Sequence, residues 1–147
     1  MPITLGEGIT QHIFVCKRPG VDVFLEKVCR TFEVVIFTAS LATYADPVID
    51  FLDPNGLIKH RLFRESCVQL HGLYIKDLSR LGRPLEQTLI IDNSPASYLL
   101  QPEYALGIKS WFNDTEDVEL HRMLPLLSAL TTADGVSSWR ADLEGEE

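Results

Sequence analysis

Three residues of different chemistry each follow a short apolar run. Thr38 follows Val34-Val35-Ile36-Phe37, Lys76 follows Leu73-Tyr74-Ile75, and Asp92 follows Leu89-Ile90-Ile91. A hydroxyl, an ammonium and a carboxylate together suit a phosphoryl group with a divalent cation. The hydroxyl donates to a phosphoryl oxygen, the ammonium offsets its charge, and the carboxylate offers a hard oxygen to the metal. One polar residue at a strand end is commonplace. Three of complementary chemistry argue for a shared site, against the plainer reading of three ordinary strand ends.

Such a site needs strands whose carboxyl ends meet. Continuous apolar runs rich in β-branched residues fit strands covered on both faces, as in a parallel sheet. In open sheets of that kind ligands sit at the carboxyl ends of the strands. The rest of the chain reads accordingly. His12 to Val15 predicts a short strand. Pro19 suits the first turn of a helix carrying Val21, Phe24, Leu25 and Val28. Val34 to Phe37 predicts a buried strand. Leu41 to Tyr44 predicts a helical stretch, and Asp46-Pro47 a second helix start that ends near Leu52. Asp53-Pro54-Asn55-Gly56 is a turn signal. Further strands are expected at Leu73–Ile75, Leu89–Ile91 and, on the outside, Ile108–Phe112. Asp114 is expected to cap a last helix carrying Val118, Met123, Leu124, Leu127 and Leu130, kinked at Pro125. Alternating strands and helices predict an α/β fold with a mostly parallel sheet.

Composition narrows the classes. A length of 147 residues, 46% apolar and 23% charged, fits one globular domain. Thirteen basic residues face 21 acidic ones, a net charge of −8. That balance argues against non-specific binding of a phosphate backbone. The segment from Lys59 to Arg83 is the exception. It carries six cations (Lys59, Arg61, Arg64, Lys76, Arg80, Arg83) against Glu65 and Asp77, a net +4. It reads as a focused anion site or, equally, as a solvated basic loop. Three cysteines without a CxxC pair fit a reducing compartment. The start lacks the pattern of a secretory signal, and the apolar stretch Val34 to Ala45 is too short for a bilayer, which needs about 20 residues. The expectation is an intracellular chain, nuclear or cytoplasmic, with no membrane span and no direct nucleic-acid contact.

Several chemistries lack their motifs. There is no GxxxxGK[ST] loop and no GxSxG elbow. Six residues after Cys16, Cys29 and Cys67 stand Asp22, Val35 and Leu73, so no arginine is placed to serve a cysteine phosphatase. His12, His60, His71 and His121 are scattered, and Cys67-x-x-x-His71 alone is a poor zinc signal.

The strings RPGVDVFLEKV, FTASLATYADP, RLFRESC, YIKDLSRLGR, IIDNSPASY and KSWFNDTEDVEL occur in that order between Arg18 and Leu130. Through them the chain resembles the small phosphatases of the RNA polymerase II C-terminal domain, of SCP and Dullard type, in the haloacid dehalogenase superfamily. The resemblance implies a three-layer, Rossmann-like parallel sheet, with an FCP-homology domain over 1–130 and a polar tail over 131–147. It also implies magnesium-dependent removal of phosphate from protein serine or threonine through an aspartyl-phosphate. By resemblance, Thr38 and Lys76 are catalytic, Thr38 holding a phosphoryl oxygen and Lys76 offsetting charge. Asp92 and Asn93 belong to the magnesium site. Arg64 contacts the substrate phosphate. Leu41 and Tyr44 form part of an apolar pocket for a proline near the phosphoserine, or else are plain core at i, i+3. The implied partner is a phosphorylated protein, in a serine-proline context.

The family opens with a DxDx[TV] motif on its first, central strand, which carries the nucleophile, the acid–base group and most metal ligands. No Asp-x-Asp occurs in these 147 residues. The expectation is a chain inactive by itself, with weakened magnesium binding. A strand missing between the Thr-bearing and Asp-bearing strands would leave two open edges, to be closed differently or by a strand from a partner. Three readings follow: an incomplete copy of a working phosphatase, a catalytically dead relative used for binding, or kinship with the phosphatase-like receptor subunit of the mitochondrial inner-membrane translocase.

Overall fold

The computed structural model describes residues 1–5 and 8–131, and they divide between two units. The expected tail over 131–147 lies, from residue 132 on, outside the described residues.

The first unit holds Met1–Ser66 and Trp111–Asp117. Strands β1 (Pro2–Leu5) and β2 (Ile9–His12) form an antiparallel hairpin in register Pro2↔His12. Met1 and Ile13 extend it by exchanging backbone bonds of 2.8 Å in both directions. The strand expected at His12–Val15 therefore lies earlier. Pairing with β1 decides its place, and Phe14, beyond the ladder, is fully exposed. Helix α1 (Val21–Thr31) buries Phe24 and Val28, one turn apart on the face the periodicity marked. Pro19 stands before it, because Gly20 at φ 80° makes the turn into the helix.

Strand β3 (Val35–Phe37) runs parallel to β4 (His60–Leu62), and helix α2 (Ala42–Leu52) connects them. The expected break at Asp46-Pro47 does not occur: α2 is continuous and contains Pro47. Asp46 is no cap. Arg61 on β4 donates to Asp46 (2.9 Å) and, one turn on, to Asp50 (2.8 Å), so two carboxylates on one face of α2 are clipped to the strand. That tertiary grip spans the turn in which proline removes a backbone donor. After α2, Asp53 is buried and accepts from the amides of Leu57 and Ile58, closing the Asp-Pro-Asn-Gly turn with Gly56 at φ 64°.

The second unit holds, among the described residues, Cys67–Ser110 and Val118–Thr131. Strands β5 (Val68–Leu70) and β6 (Leu73–Ile75) form an antiparallel hairpin. Its two-residue turn, His71-Gly72, has both φ values positive, as a tight hairpin turn requires. Strand β7 (Ile90–Asp92) runs parallel to β8 (Ala105–Gly107). Buried Leu78, Ile90 and Ala105 form a cluster with Leu81, Leu85, Tyr98 and Tyr104 against it. Helix α3 (Glu119–Leu130) buries Leu120, Met123 and Leu127 and contains Pro125.

Two expectations near the end of the chain fail. The outer strand is β8 rather than Ile108–Phe112, because pairing runs in register Ile90↔Ala105. Phe112 is 81% exposed, in a segment assigned to the first unit. Asp114 caps a turn instead of α3, accepting from the Glu116 amide while its carbonyl accepts from the Trp111 indole. Asp117, at the end of this segment, is held by Arg18 through Nε and Nη2.

The α/β class holds, yet the described residues form four two-stranded ladders, two parallel and two antiparallel. The antiparallel ones are hairpins with connections too short for a parallel crossover. Among the described residues β3 pairs only with β4, and β7 only with β8. Val35, Ile36 and Phe37 are each partly exposed, rather than covered on both faces.

Candidate functional site

In the second unit, Lys76 leaves the end of β6 and Asp92 closes β7. The Lys76 ammonium donates to Asp92 Oδ2 at 2.5 Å, with the two side chains 11% and 8% exposed. Both are held by the backbone around them. The Lys76 amide donates to the carbonyl of Ser97 at 2.8 Å. The Ser94 amide donates to Asp92 Oδ1 at 2.9 Å, an Asp turn legible in Asp92-Asn93-Ser94. Burying such a pair costs desolvation that contact and further hydrogen bonds must offset.

Asn93 is exposed, and its amide donates to Ser110 Oγ at 3.0 Å. Asp92 and Asn93 thus supply one carboxylate and one amide oxygen. Magnesium takes six oxygens in near-octahedral array. Among the described residues no group of three His, Cys, Asp or Glu side chains could hold a metal ion. The donors present do not by themselves complete a magnesium site.

Next to Lys76, Asp77 caps the short 3-10 turn Leu78–Arg80. Its Oδ1 accepts from the Ser79 amide (3.0 Å), the Ser79 hydroxyl (2.6 Å) and the Gln101 side chain (2.8 Å). The Ser79 hydroxyl bond is the main reason its carboxyl titrates below the ordinary range. Gln101 and the Ser79 amide add to the shift, and partial burial opposes it.

In the first unit, Thr38 follows β3 directly. Its amide donates to the carbonyl of Leu62 at 2.9 Å, and its hydroxyl oxygen accepts from the Ser40 amide at 3.0 Å. Arg64, after β4, embraces this loop: Nε donates to the Ala39 carbonyl (2.7 Å) and its own amide to the Ser40 carbonyl (3.1 Å). The parallel pairing of β3 with β4 is what brings the two together. Leu41 ends the loop and Tyr44 sits one turn into α2, 51% and 46% exposed, so neither is core.

The basic segment is not one free anion patch. It crosses from the first unit to the second at Ser66/Cys67. Arg61 is paired with Asp46 and Asp50, and Lys76 with Asp92. Ser97 and Gln101 went unnoticed in the sequence, because a buried backbone acceptor and a lone glutamine leave no pattern.

Each unit thus carries its own strand-end arrangement, a hydroxyl and a guanidinium on one loop in the first and a buried ammonium–carboxylate pair in the second, on an α/β frame. The chain belongs to the family described as NLI interacting factor-like phosphatase, whose model matches residues 1–137. It is 54% identical over 136 residues to human "Carboxy-terminal domain RNA polymerase II polypeptide A small phosphatase 2", covering 92% of this chain and 50% of that protein. It is 56% identical over 130 residues to a "Probable C-terminal domain small phosphatase" of Dictyostelium discoideum, covering 88% and 42%. The chain spans about half the length of these relatives or less. In fold it resembles the structure of Fcp1, an essential RNA polymerase II CTD phosphatase, with a TM-score of 0.63 at 22% identity, over 90% of this chain and 38% of that one.

Proposed function

We propose that this chain carries the phosphate-holding part of a protein serine/threonine phosphatase and, alone, lacks the attacking carboxylate. The observation that carries the reading is the buried Lys76–Asp92 pair at the ends of β6 and β7. The names of the similar proteins, phosphatases of the RNA polymerase II C-terminal domain, favour this branch over a translocase receptor. A phosphorylated protein is the substrate proposed, and nucleus or cytoplasm the location. Among the described residues no helix is long and apolar enough to cross a membrane.

In this reading Thr38 donates its hydroxyl proton to a phosphoryl oxygen, and Arg64 adds a cation on the same loop. Lys76 offsets the charge that accumulates on phosphate and carboxylates. Magnesium, when bound, would spread that charge further. Asp92 and Asn93 would be two of its oxygen donors, the others coming from a motif these residues do not contain. The half-exposed apolar residues of β3, and its pairing among the described residues with β4 alone, support an edge that a further strand could cover.

The test is turnover of an aryl phosphate with magnesium. The 147-residue chain should show none. The chain extended by an apolar strand ending in Asp-Leu-Asp-x-Thr should gain turnover and lose it again with Lys76→Ala. Turnover by the 147 residues themselves, abolished by Lys76→Ala, would overturn the proposed inactivity.

One observation favours a second reading, a binding protein. Leu41, Tyr44 and Arg64 set exposed apolar surface and a cation at one loop, and that needs no nucleophile. It predicts affinity for a phosphoserine-proline peptide, weakened by Tyr44→Ala and by Arg64→Ala. Affinity indifferent to both changes would dispose of it.

A further inference from the structure

Gln101 is 7% exposed, and nothing in its sequence surroundings marks it. Both ends of its carboxamide are in use. Oε1 accepts from the Leu78 amide at 3.0 Å, and Nε2 donates to Asp77 Oδ1 at 2.8 Å. These are the two residues that follow Lys76. A glutamine buried for packing alone would be a costly choice, since both of its ends must be satisfied. Here each end closes on the same turn, 23 and 24 residues away in sequence.

The segment that carries Asp92 also braces its partner. It turns at Ser94, gives the Ser97 carbonyl to the Lys76 amide, and reaches Gln101. Lys76 is thus fixed on its own amide by Ser97 and immediately downstream by Gln101. Asp92 is fixed at the other end of the same segment. The arrangement makes the ammonium–carboxylate distance a property of one short stretch, 92–101.

We propose that Gln101 is a positioning residue for Lys76, its carboxamide locking the Asp77–Leu78 turn so that the lysine stays against Asp92. The proposal rests on the reading of Lys76 as the cation of the phosphate site, but its test needs no turnover. A failed phosphatase reading would leave the clamp real and without a phosphate to serve.

The test exploits the chemistry of the clamp. Gln101→Leu removes both bonds. Gln101→Glu sets one carboxylate against another. Asp77→Asn with Gln101→Glu exchanges amide and carboxylate: the asparagine oxygen keeps the two Ser79 donors that Oδ1 now holds, its NH2 takes the place of Oδ2 and turns to the new carboxylate, and the Leu78 amide keeps an acceptor. The readout is hydrogen exchange of the Lys76 ammonium in the nitrogen-15-labelled full chain, assigned with Lys76→Arg. Amide protection of Ile91 and Leu106 in the β7/β8 pair reports the fold. The unaltered chain should show a slowly exchanging Lys76 ammonium. Exchange should be about tenfold faster in each single variant, as the loss of buried hydrogen bonds implies, with the β7/β8 amides still protected. The double variant should restore slow exchange. Unchanged exchange in both single variants overturns the proposal. So does a double variant as fast as Gln101→Glu, folded or not, or the lack of a protected Lys76 ammonium in the unaltered chain. Should Gln101→Leu fail to fold, the comparison of Gln101→Glu with the double variant decides alone.

Discussion

Lys76 Nζ lies 2.5 Å from Asp92 Oδ2, and both side chains are about nine-tenths buried. Each charge is therefore tolerated only because the other is present. Lys76→Met leaves the Asp92 carboxylate buried with one backbone donor, and Asp92→Leu strands the ammonium. Each single change should cost about 3–5 kcal/mol of folding stability in urea titration. Making both together should cost less than either alone, because two apolar side chains carry no stranded charge. A double variant as unstable as the sum of the two would mean zero coupling between the side chains and would contradict this account of the pair.

Arg18 grips Asp117 through Nε (2.7 Å) and Nη2 (2.9 Å), 99 residues apart in sequence. The side chains are 13% and 12% exposed. The planar fork matters as much as the charge. Arg18→Ala should cost about 3 kcal/mol, near the lower end for breaking a buried pair. Arg18→Lys should recover only part of that. Limited proteolysis is the sharper check: cleavage within 111–117 should speed up in Arg18→Ala and to a lesser degree in Arg18→Lys.

Asp77 titrates below the ordinary carboxylate range, chiefly through the Ser79 hydroxyl. A depressed pKa in the folded chain means that the unfolded chain takes up the proton first as pH falls. The stabilisation is therefore complete above the unfolded value of about 3.9 and is lost as pH drops through the folded value. Asp77→Asn removes the titrating group. Its stability should vary less with pH below about 4 than that of the unaltered chain, measured by urea unfolding at stepped pH. Parallel slopes would contradict the assignment.

Cys29 is half-buried on α1, and its thiol is pushed above its ordinary value, first by burial and then by the Asp53 carboxylate, with Lys59 opposing. Thiolate is the reactive form, so Cys29 should label slowly with a maleimide near pH 7.5. Cys16, which is exposed, should label about tenfold faster or more. Mass spectrometry of peptides after brief labelling would settle the order.

How much was legible beforehand differs from element to element. Val35–Phe37 and Leu73–Ile75 are strands where apolar, β-rich runs place them, and Ile90–Asp92 lies one residue beyond the expected Leu89–Ile91, since strand propensity is written into local composition; the burial on both faces expected of Val34–Phe37 is not, because it depends on what packs there. The Asp53–Gly56 turn and the Asp92-Asn93-Ser94 turn were legible because each closes on its own neighbours. The local rule breaks the helix at Pro47, whereas α2 runs through it with Arg61, from another element, gripping Asp46 and Asp50 across that turn. Local spacing makes Asp114 a helix cap, whereas α3 begins at Glu119 and Asp117, just before it, is engaged by Arg18 from the other end of the chain.

The sequence by itself determined the residue types at the strand ends: a hydroxyl at 38, an ammonium at 76 and a carboxylate at 92. It also carried the motif strings behind the family resemblance. These are local properties, set by which side chain follows which apolar run. Only the tertiary structure decided that Lys76 and Asp92 touch, that Arg64 folds over the loop after Thr38, and that Leu41 and Tyr44 stay outside the core. Each of these depends on which strands pair and which backbone groups remain to be satisfied. Such long-range pairing leaves no spacing rule along the chain.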